Sequence, residues 1–438
     1  MASHSSFRKF MILWSGELLS SIGSGMTAFG LGIYVYNQTG KASATAFVTL
    51  LAFVPYLIFS VPAGVLADRY DRRLLMILGD SLSALGLVFI LVCMSFGLND
   101  YWVICVGVTI SSVFSSLMDP AFKATISDLL TEEEYAKGSG LTQAAGSARY
   151  LLSPAIAGLI LSISDIKMIL IIDIATFFVT VVTTMVVRRG LAAKPSKKHE
   201  AFSVEMKAGW SAIRMKRGIL LLVIITSVMT FFIGFIQTLS TPMVIAFTSE
   251  KNLGIIETIC ASGMLVTSVF IGAFAKNRKC IPMLGISLFL AGLFMMLFGS
   301  FENAVWICIG GFLFFAMLPF ANTAIDVLIR KNIDNNVQGR AFGLIGLISQ
   351  LGYVVSYAIC GLLADAIFTP LLMKDGALAS SVGKVIGVGK GRGTGFLIII
   401  AGFCLSLTAV YLLLQKDIRT LDKVTALPLK QDTGIEEG

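Results

Sequence analysis

Gly64-Val65-Leu66-Ala67-Asp68-Arg69-Tyr70-Asp71-Arg72-Arg73 separates two long apolar runs. Residues 42–67 carry no charge, and a second charge-free run opens at Leu74. Five charges in six residues cannot enter hydrocarbon, so this stretch must turn at a membrane surface between two spanning helices. Gly64, lacking a side chain, would let two helices cross closely just before the turn. Arginines in so short a loop are retained on the cytoplasmic side.

The rest of the chain agrees with that reading. Of its 438 residues, 56% are hydrophobic and 14% are charged. Soluble globular proteins carry about 25% charged residues. The sequence predicts an all-α polytopic membrane protein with twelve spans, six in each half. The first six are 10–36, 44–67, 74–97, 102–122, 138–162 and 167–187. The second six are 218–242, 253–275, 281–300, 304–326, 340–365 and 395–415. The span from Phe10 is too long for a signal-peptide core and reads as uncleaved. Seven cysteines, mostly inside apolar runs, make no disulfide framework. The net charge of +8 then reflects loops facing anionic lipid headgroups, and no nucleic-acid partner is expected.

Lysine and arginine counts orient the spans. The side holding the termini and the turn 68–73 carries 26 of them, the other side seven. Both termini are therefore expected in the cytoplasm, in a cell inner or plasma membrane. The chain divides into an N-terminal six-helix bundle (1–187), a basic linker (188–217), a C-terminal bundle (218–415) and a polar tail (416–438), which reads as unstructured. Within the linker Met206, Trp210 and Ile213 recur at helical spacing, so part of it either lies as an amphipathic helix on the inner leaflet or remains a tether. Loop 366–394 ends in the glycine-rich 383–395, which lacks the spacing of a phosphate loop and reads as a flexible external loop.

The second half repeats the first. Residues 140–160 align without a gap on 343–363, pairing Gly140 with Gly343, Tyr150 with Tyr353, Ser153 with Ser356 and Gly158 with Gly361. Gly272 to Lys279, after span 8, is a worn copy of the opening stretch. The two offsets are 203 and 208 residues, which is six helices in each case.

Ionisable groups inside spans cost about 2.5–3.5 kcal/mol each at mid-membrane, and each needs a reason. Glu17, Arg149, Asp173, Glu257 and Asp326 are the proton-coupling or cavity candidates. Glu17 and Arg149 lie deepest and are expected to face a central cavity; Asp173, Glu257 and Asp326 sit nearer span ends. The alternatives are a Glu17 that snorkels to the inner rim and an Arg149 bonded to backbone carbonyls of a neighbouring helix. Asp80 is expected near enough to the cytoplasm to be solvated. Neither histidine, His4 or His199, lies in a span, so any proton coupling must use carboxylates. Asp128, after span 4, is placed to pair with Arg72 or Arg73 in a cytoplasmic gate. No metal-ligand cluster, nucleophile–base pair or nucleotide loop is present in the sequence, so no enzyme activity, cofactor or metal is expected.

The pattern Gly64-x-x-x-Asp68-Arg69-x-x-Arg72-Arg73 resembles the loop 2–3 signature of the major facilitator superfamily of secondary transporters. Pro154 and Gly158 in span 5 resemble its antiporter motif, although Ser153 and Ala157 replace two of that motif's glycines. Gly339-Arg340-Ala341-Phe342 and Gly361-Leu362-Leu363-Ala364-Asp365 extend the likeness to the drug:proton antiporter branch that includes bacterial macrolide-efflux-type permeases. The resemblance implies two pseudo-symmetric six-helix bundles working by alternating access. It implies a gate in which Asp68, Arg69, Arg72 and Arg73 tie helix 2 to its neighbours, and export of a hydrophobic or amphiphilic small molecule driven by protons, by a monomer. Symport of a metabolite, export of an endogenous peptide or siderophore, and a non-transporting receptor or scaffold are the alternatives.

Overall fold

In a computed structural model the chain is described over residues 6–188, 207, 210, 211, 213–275 and 279–422. Twelve helices are long and apolar enough to cross a bilayer: α1 (Phe7–Thr39), α2 (Ala42–Ala67), α3 (Arg72–Ser95), α4 (Tyr101–Ile126), α5 (Lys137–Ile163), α6 (Ile166–Arg188), α7 (Arg217–Val244), α8 (Glu250–Ile271), α9 (Cys280–Ser300), α10 (Ala304–Asn332), α11 (Arg340–Leu371) and α12 (Arg392–Leu414). Apolar runs of this length become helices because hydrocarbon offers no partner for free backbone groups. The molecule is a multi-pass membrane protein.

The turns are built from local chemistry. Gly40 adopts φ 64°, a left-handed conformation, and its N–H closes α1 onto Tyr36 O at 2.7 Å. At the arginine turn the Asp71 side chain accepts from Arg73 N and so caps α3. Pro154 opens the second segment of α5, after a break at Leu152, where its missing N–H costs nothing.

The helices pack as two related sets of six. Within the first set α1 packs on α6 and α5, α3 on α4 and α6, and α2 on α4. Six helices later α7 packs on α12 and α11, α9 on α10 and α12, and α8 on α10. Between the sets, α5 lies against α8, and α11 against α2. The aligned glycines sit at these two crossings. A Cβ on Gly158 would stand 2.8 Å from Glu250 O, and one on Gly361 2.5 Å from Ser43 Cα. Both crossings lie at the end opposite the arginine turn, here called the far end.

Hydrogen bonds between the sets lie at that end and in mid-membrane: Asn37 Nδ2 to Glu250 Oε1, Ala42 N and Ser43 N to Asp365, and Thr258 Oγ1 to Leu151 O. Ile33, Ala42 and Ala46 of the first half belong to the apolar cluster of the second. The far end is closed.

Several expectations change. Nothing lies within 4 Å of a Cβ on Gly64, so no helix crosses closely there in this conformation. Loop 366–394 is not a flexible loop. Helix α11 continues to Leu371 through a π-helical segment, Ala364–Phe368. The remainder is tied by Leu378 N to Leu371 O, Gly383 N to Leu378 O and Gly389 N to Leu372 O. Arg392, counted with the loop, is buried; its Nη2 donates to Gly299 O and Ser300 O, the last carbonyls of α9. The tail is ordered to Asp422: Ile418 and Leu421 are buried, and Asp422 accepts from Cys280 N and Ile281 N at the start of α9. Most of the linker, with Met206, lies outside the described residues, as do Lys276 and Arg278 of the worn copy. Within the linker Trp210 and Ile213 are helical, and Ile213 is buried.

Candidate functional site

In the first half the core is split. One apolar cluster surrounds Met26, Ile90 and Ile169, and another, toward the arginine end, surrounds Phe10, Met76 and Leu129. Between them runs a polar layer at mid-membrane depth. The second half has one continuous cluster and no such division.

Glu17 of α1 and Arg149 of α5 both belong to this layer. Glu17 is held by Ser21 through one oxygen, and its Oε2 is buried without a hydrogen-bond partner. Asp119 and Arg149 lie within electrostatic reach of it. The stem of Arg149 rests on Gly25 of α1, whose Cβ would sit 2.9 Å from Arg149 Cγ. Among the described residues none makes a salt bridge or hydrogen bond to its guanidinium, which is solvent-exposed. Electrostatically it reaches Glu17 on α1, Tyr56 on α2, Asp173 on α6 and Tyr357 on α11. Arg149 thus lies where the two halves meet.

The opposite wall is aromatic. Phe53 of α2 packs against Tyr353 and Tyr357 of α11, with ring centroids 5.8 and 5.7 Å away, and the Tyr357 hydroxyl donates to Gln237 Oε1 of α7 at 2.7 Å. Tyr56 OH donates to Asp119 Oδ2 at 2.6 Å. One cation, two carboxylates and four aromatic rings gathered in this way can bind an amphiphile: the rings take its apolar body, the charged groups its polar end.

The other candidates divide. Asp173 is 1% exposed, packed under Gly23 of α1, with Ser24 and Thr176 hydroxyls 3.4 Å from Oδ1. Asp80, expected to be solvated, is 2% exposed with Oδ2 unpartnered; Glu17 and Asp173 are its electrostatic neighbours. Its depth along α3 suggested solvent, but α4 and α6 cover it laterally. Glu257 stands in the second half, where Ser240 Oγ donates to it at 2.8 Å. Asp326 lies near the C-terminal end of α10, with a side chain 46% exposed that takes Arg330 Nε, one turn on, at 2.8 Å.

At the arginine end, Asp128 accepts from Arg72 Nη1 at 3.1 Å, with Arg73 Nη2 at 3.9 Å. Arg72 also donates to Ala124 O and Ala67 O, and Asp71 takes Arg188 Nε at 2.9 Å. These bonds tie the ends of α2, α3, α4 and α6 together, all inside the first half. Arg69 is exposed, and the Asp68 side chain lies outside what is described. Ser153, standing where the antiporter motif has glycine, donates to Ile22 O at 2.8 Å, so the hydroxyl strengthens the α1–α5 contact.

Sequence reasoning missed Asp119, Tyr56 and the aromatic wall. Tyr353 was visible, since it aligns with Tyr150 in the internal repeat. Asp119 carried a signal too, a charged residue beside Pro120 inside a span.

The sequence profile of the Major Facilitator Superfamily matches residues 13–357. The chain belongs to that superfamily. Macrolide efflux protein A of Streptococcus pyogenes is 28% identical over 371 residues, covering 82% of this chain and 90% of that protein. A staphyloferrin A transporter of Staphylococcus aureus is 24% identical over 347 residues, covering 76% and 84%. Among solved structures, the nucleoside transporter NupG superimposes with a TM-score of 0.73 at 12% identity, over 93% of this chain and all of that one. A bacterial homologue of the lysosomal transporter Spinster, inward-facing and unoccupied, gives 0.72 at 13% identity over 98% and 100%. These members of the superfamily share the twelve-helix architecture, and the protein is a membrane transporter, not an enzyme.

Proposed function

We propose that this superfamily member exports hydrophobic or amphiphilic small molecules of the drug or macrolide type in exchange for protons, by alternating access between its two six-helix halves. The observation that supports it most is that Arg149 stands within electrostatic reach of both Glu17 of α1 and Tyr357 in the aromatic wall of α11. The relation to macrolide efflux proteins supports the substrate class. In this reading the arginine end faces the cytoplasm, as the 26-to-7 distribution of Lys and Arg favours, so the closed far end is the outer one.

Glu17 has its Oε2 buried without a donor and an unpaired arginine on the neighbouring wall. A proton or a substrate cation can neutralise it, but not both at once, and that competition couples the two fluxes. Asp128 with Arg72 and Arg73 organises the cytoplasmic end of the first half. A second reading, export of an anionic metabolite such as a siderophore, is favoured by the unpaired Arg149 and by the staphyloferrin relative.

The test uses proteoliposomes under an imposed pH gradient, with a fluorescent lipophilic cation and a carboxylate siderophore as probes. Export of the cation that collapses with a protonophore and loses its gradient dependence in Glu17→Gln supports the proposal. Glu17→Gln that retains full gradient dependence removes Glu17 from coupling. Transport of the siderophore alone, lost in Arg149→Gln, selects the second reading.

A further inference from the structure

The first turn of α2 has no cap of its own. Its preceding residue, Lys41, has the extended backbone of a capping position, φ −117° and ψ 126°, but no side chain that can accept a hydrogen bond. The first N–H groups of any helix lack partners within it. Here those of Ala42 and Ser43 are satisfied from the other half of the molecule: Asp365 of α11 accepts both, through Oδ1 at 3.0 Å and Oδ2 at 2.8 Å.

Two further features deliver that carboxylate. Gly361, one turn earlier on α11, leaves room for no side chain against Ser43 Cα, Ala42 O and Ala46 Cβ, at 2.5, 2.8 and 2.8 Å from a Cβ built there. The helix then widens into the π segment Ala364–Phe368, which contains Asp365. Such segments interrupt α-helical register and recur at functional positions. Beside the contact a cavity of about 410 Å³ is lined by Tyr36, Gly40, Asp365 and Lys390.

We infer that Asp365 is a latch on the far end: a helix cap supplied in trans, complete only while α2 and α11 are together. It rests on the alternating-access reading but not on the substrate or the coupling ion. When the far end opens, α2 loses its cap and Asp365 loses two donors and the positive end of the α2 dipole. That difference favours the closed state, beside the Asn37–Glu250 hydrogen bond and the apolar packing of the same end.

The experiment measures far-end opening directly, as the population of long distances between spin labels on Ser164 and Asn252 in the purified full-length chain. Asp365→Asn keeps one acceptor but loses the second bond and the negative charge at the start of α2, and is expected to raise the open-to-closed ratio about fivefold. Lys41→Ser supplies α2 with its own cap in both states, leaves Asp365 untouched, and is expected to raise the ratio in the same direction. In the double variant the two effects should not add, because each removes the same dependence. An unchanged ratio in Lys41→Ser, even if Asp365→Asn fails to fold, overturns the trans-cap; so does full additivity. Because no flux is measured, failure here leaves the transport proposal to its own test.

Discussion

Gly158→Ala should force the far end open. In the structure the added methyl would stand 2.8 Å from Glu250 O, 3.3 Å from Gly254 Cα and 3.4 Å from Lys251 Cα. Ordinary non-bonded contact lies at about 3.5–4.0 Å, so α5 and α8 must part by roughly 0.7 Å. All three obstacles are backbone atoms, and none can rotate aside. Overpacking of this kind costs about 1–3 kcal/mol. Only the closed far end bears that cost, so the open-to-closed ratio should rise by about five- to 150-fold. Spin labels on Ser164 and Asn252 report the separation of the α5 and α8 ends. The distance distribution should shift to longer values in Gly158→Ala and stay unchanged in Gly64→Ala, where nothing lies within 4 Å. An unshifted distribution in Gly158→Ala, or an equal shift in Gly64→Ala, would refute the assignment of the α5–α8 crossing as the closing surface.

Arg392→Ala removes two charge-assisted hydrogen bonds that end α9, and should cost about 1.5–3 kcal/mol for each bond left unmade, read as a lowered Tm in detergent. Transport should be affected far less than stability. Tyr56→Phe and Asp119→Ala each break the 2.6 Å hydrogen bond between these two side chains. Each should slow transport by a similar factor, and the double variant should be no slower than either single one, since both remove one interaction. Asp326→Asn should leave the rate within about twofold, because this exposed carboxylate serves only an ion pair within its own helix.

The spans were legible because twenty or so apolar residues in hydrocarbon leave the backbone no choice but a helix. The far-end crossings were half legible: the motif pointed to Gly158, and the internal repeat carried the same role to Gly361. Azimuth was not legible. Asp326 and Glu17 look alike in the sequence, each a carboxylate in a span, yet one is half-exposed and paired with Arg330 while the other has a buried oxygen without a partner. Asp80 was misjudged for a related reason, since depth along a helix does not reveal which neighbours cover it. Asp365 was read only as the close of a signature, because its partners lie 322 and 323 residues away. The aromatic wall is assembled from α2 and α11, and no local pattern announces a contact between helices so distant in the chain.

Alternation itself is open to one measurement: two distances in the same reconstituted protein, Ser164 to Asn252 at the far end and Glu133 to Asp334 at the arginine end, followed as the pH is lowered in wild type and in Gly158→Ala. If the halves rock about the chamber, whatever lengthens the first distance shortens the second. Both ends widening together, or one moving while the other stays fixed, would contradict the rocking of two rigid halves.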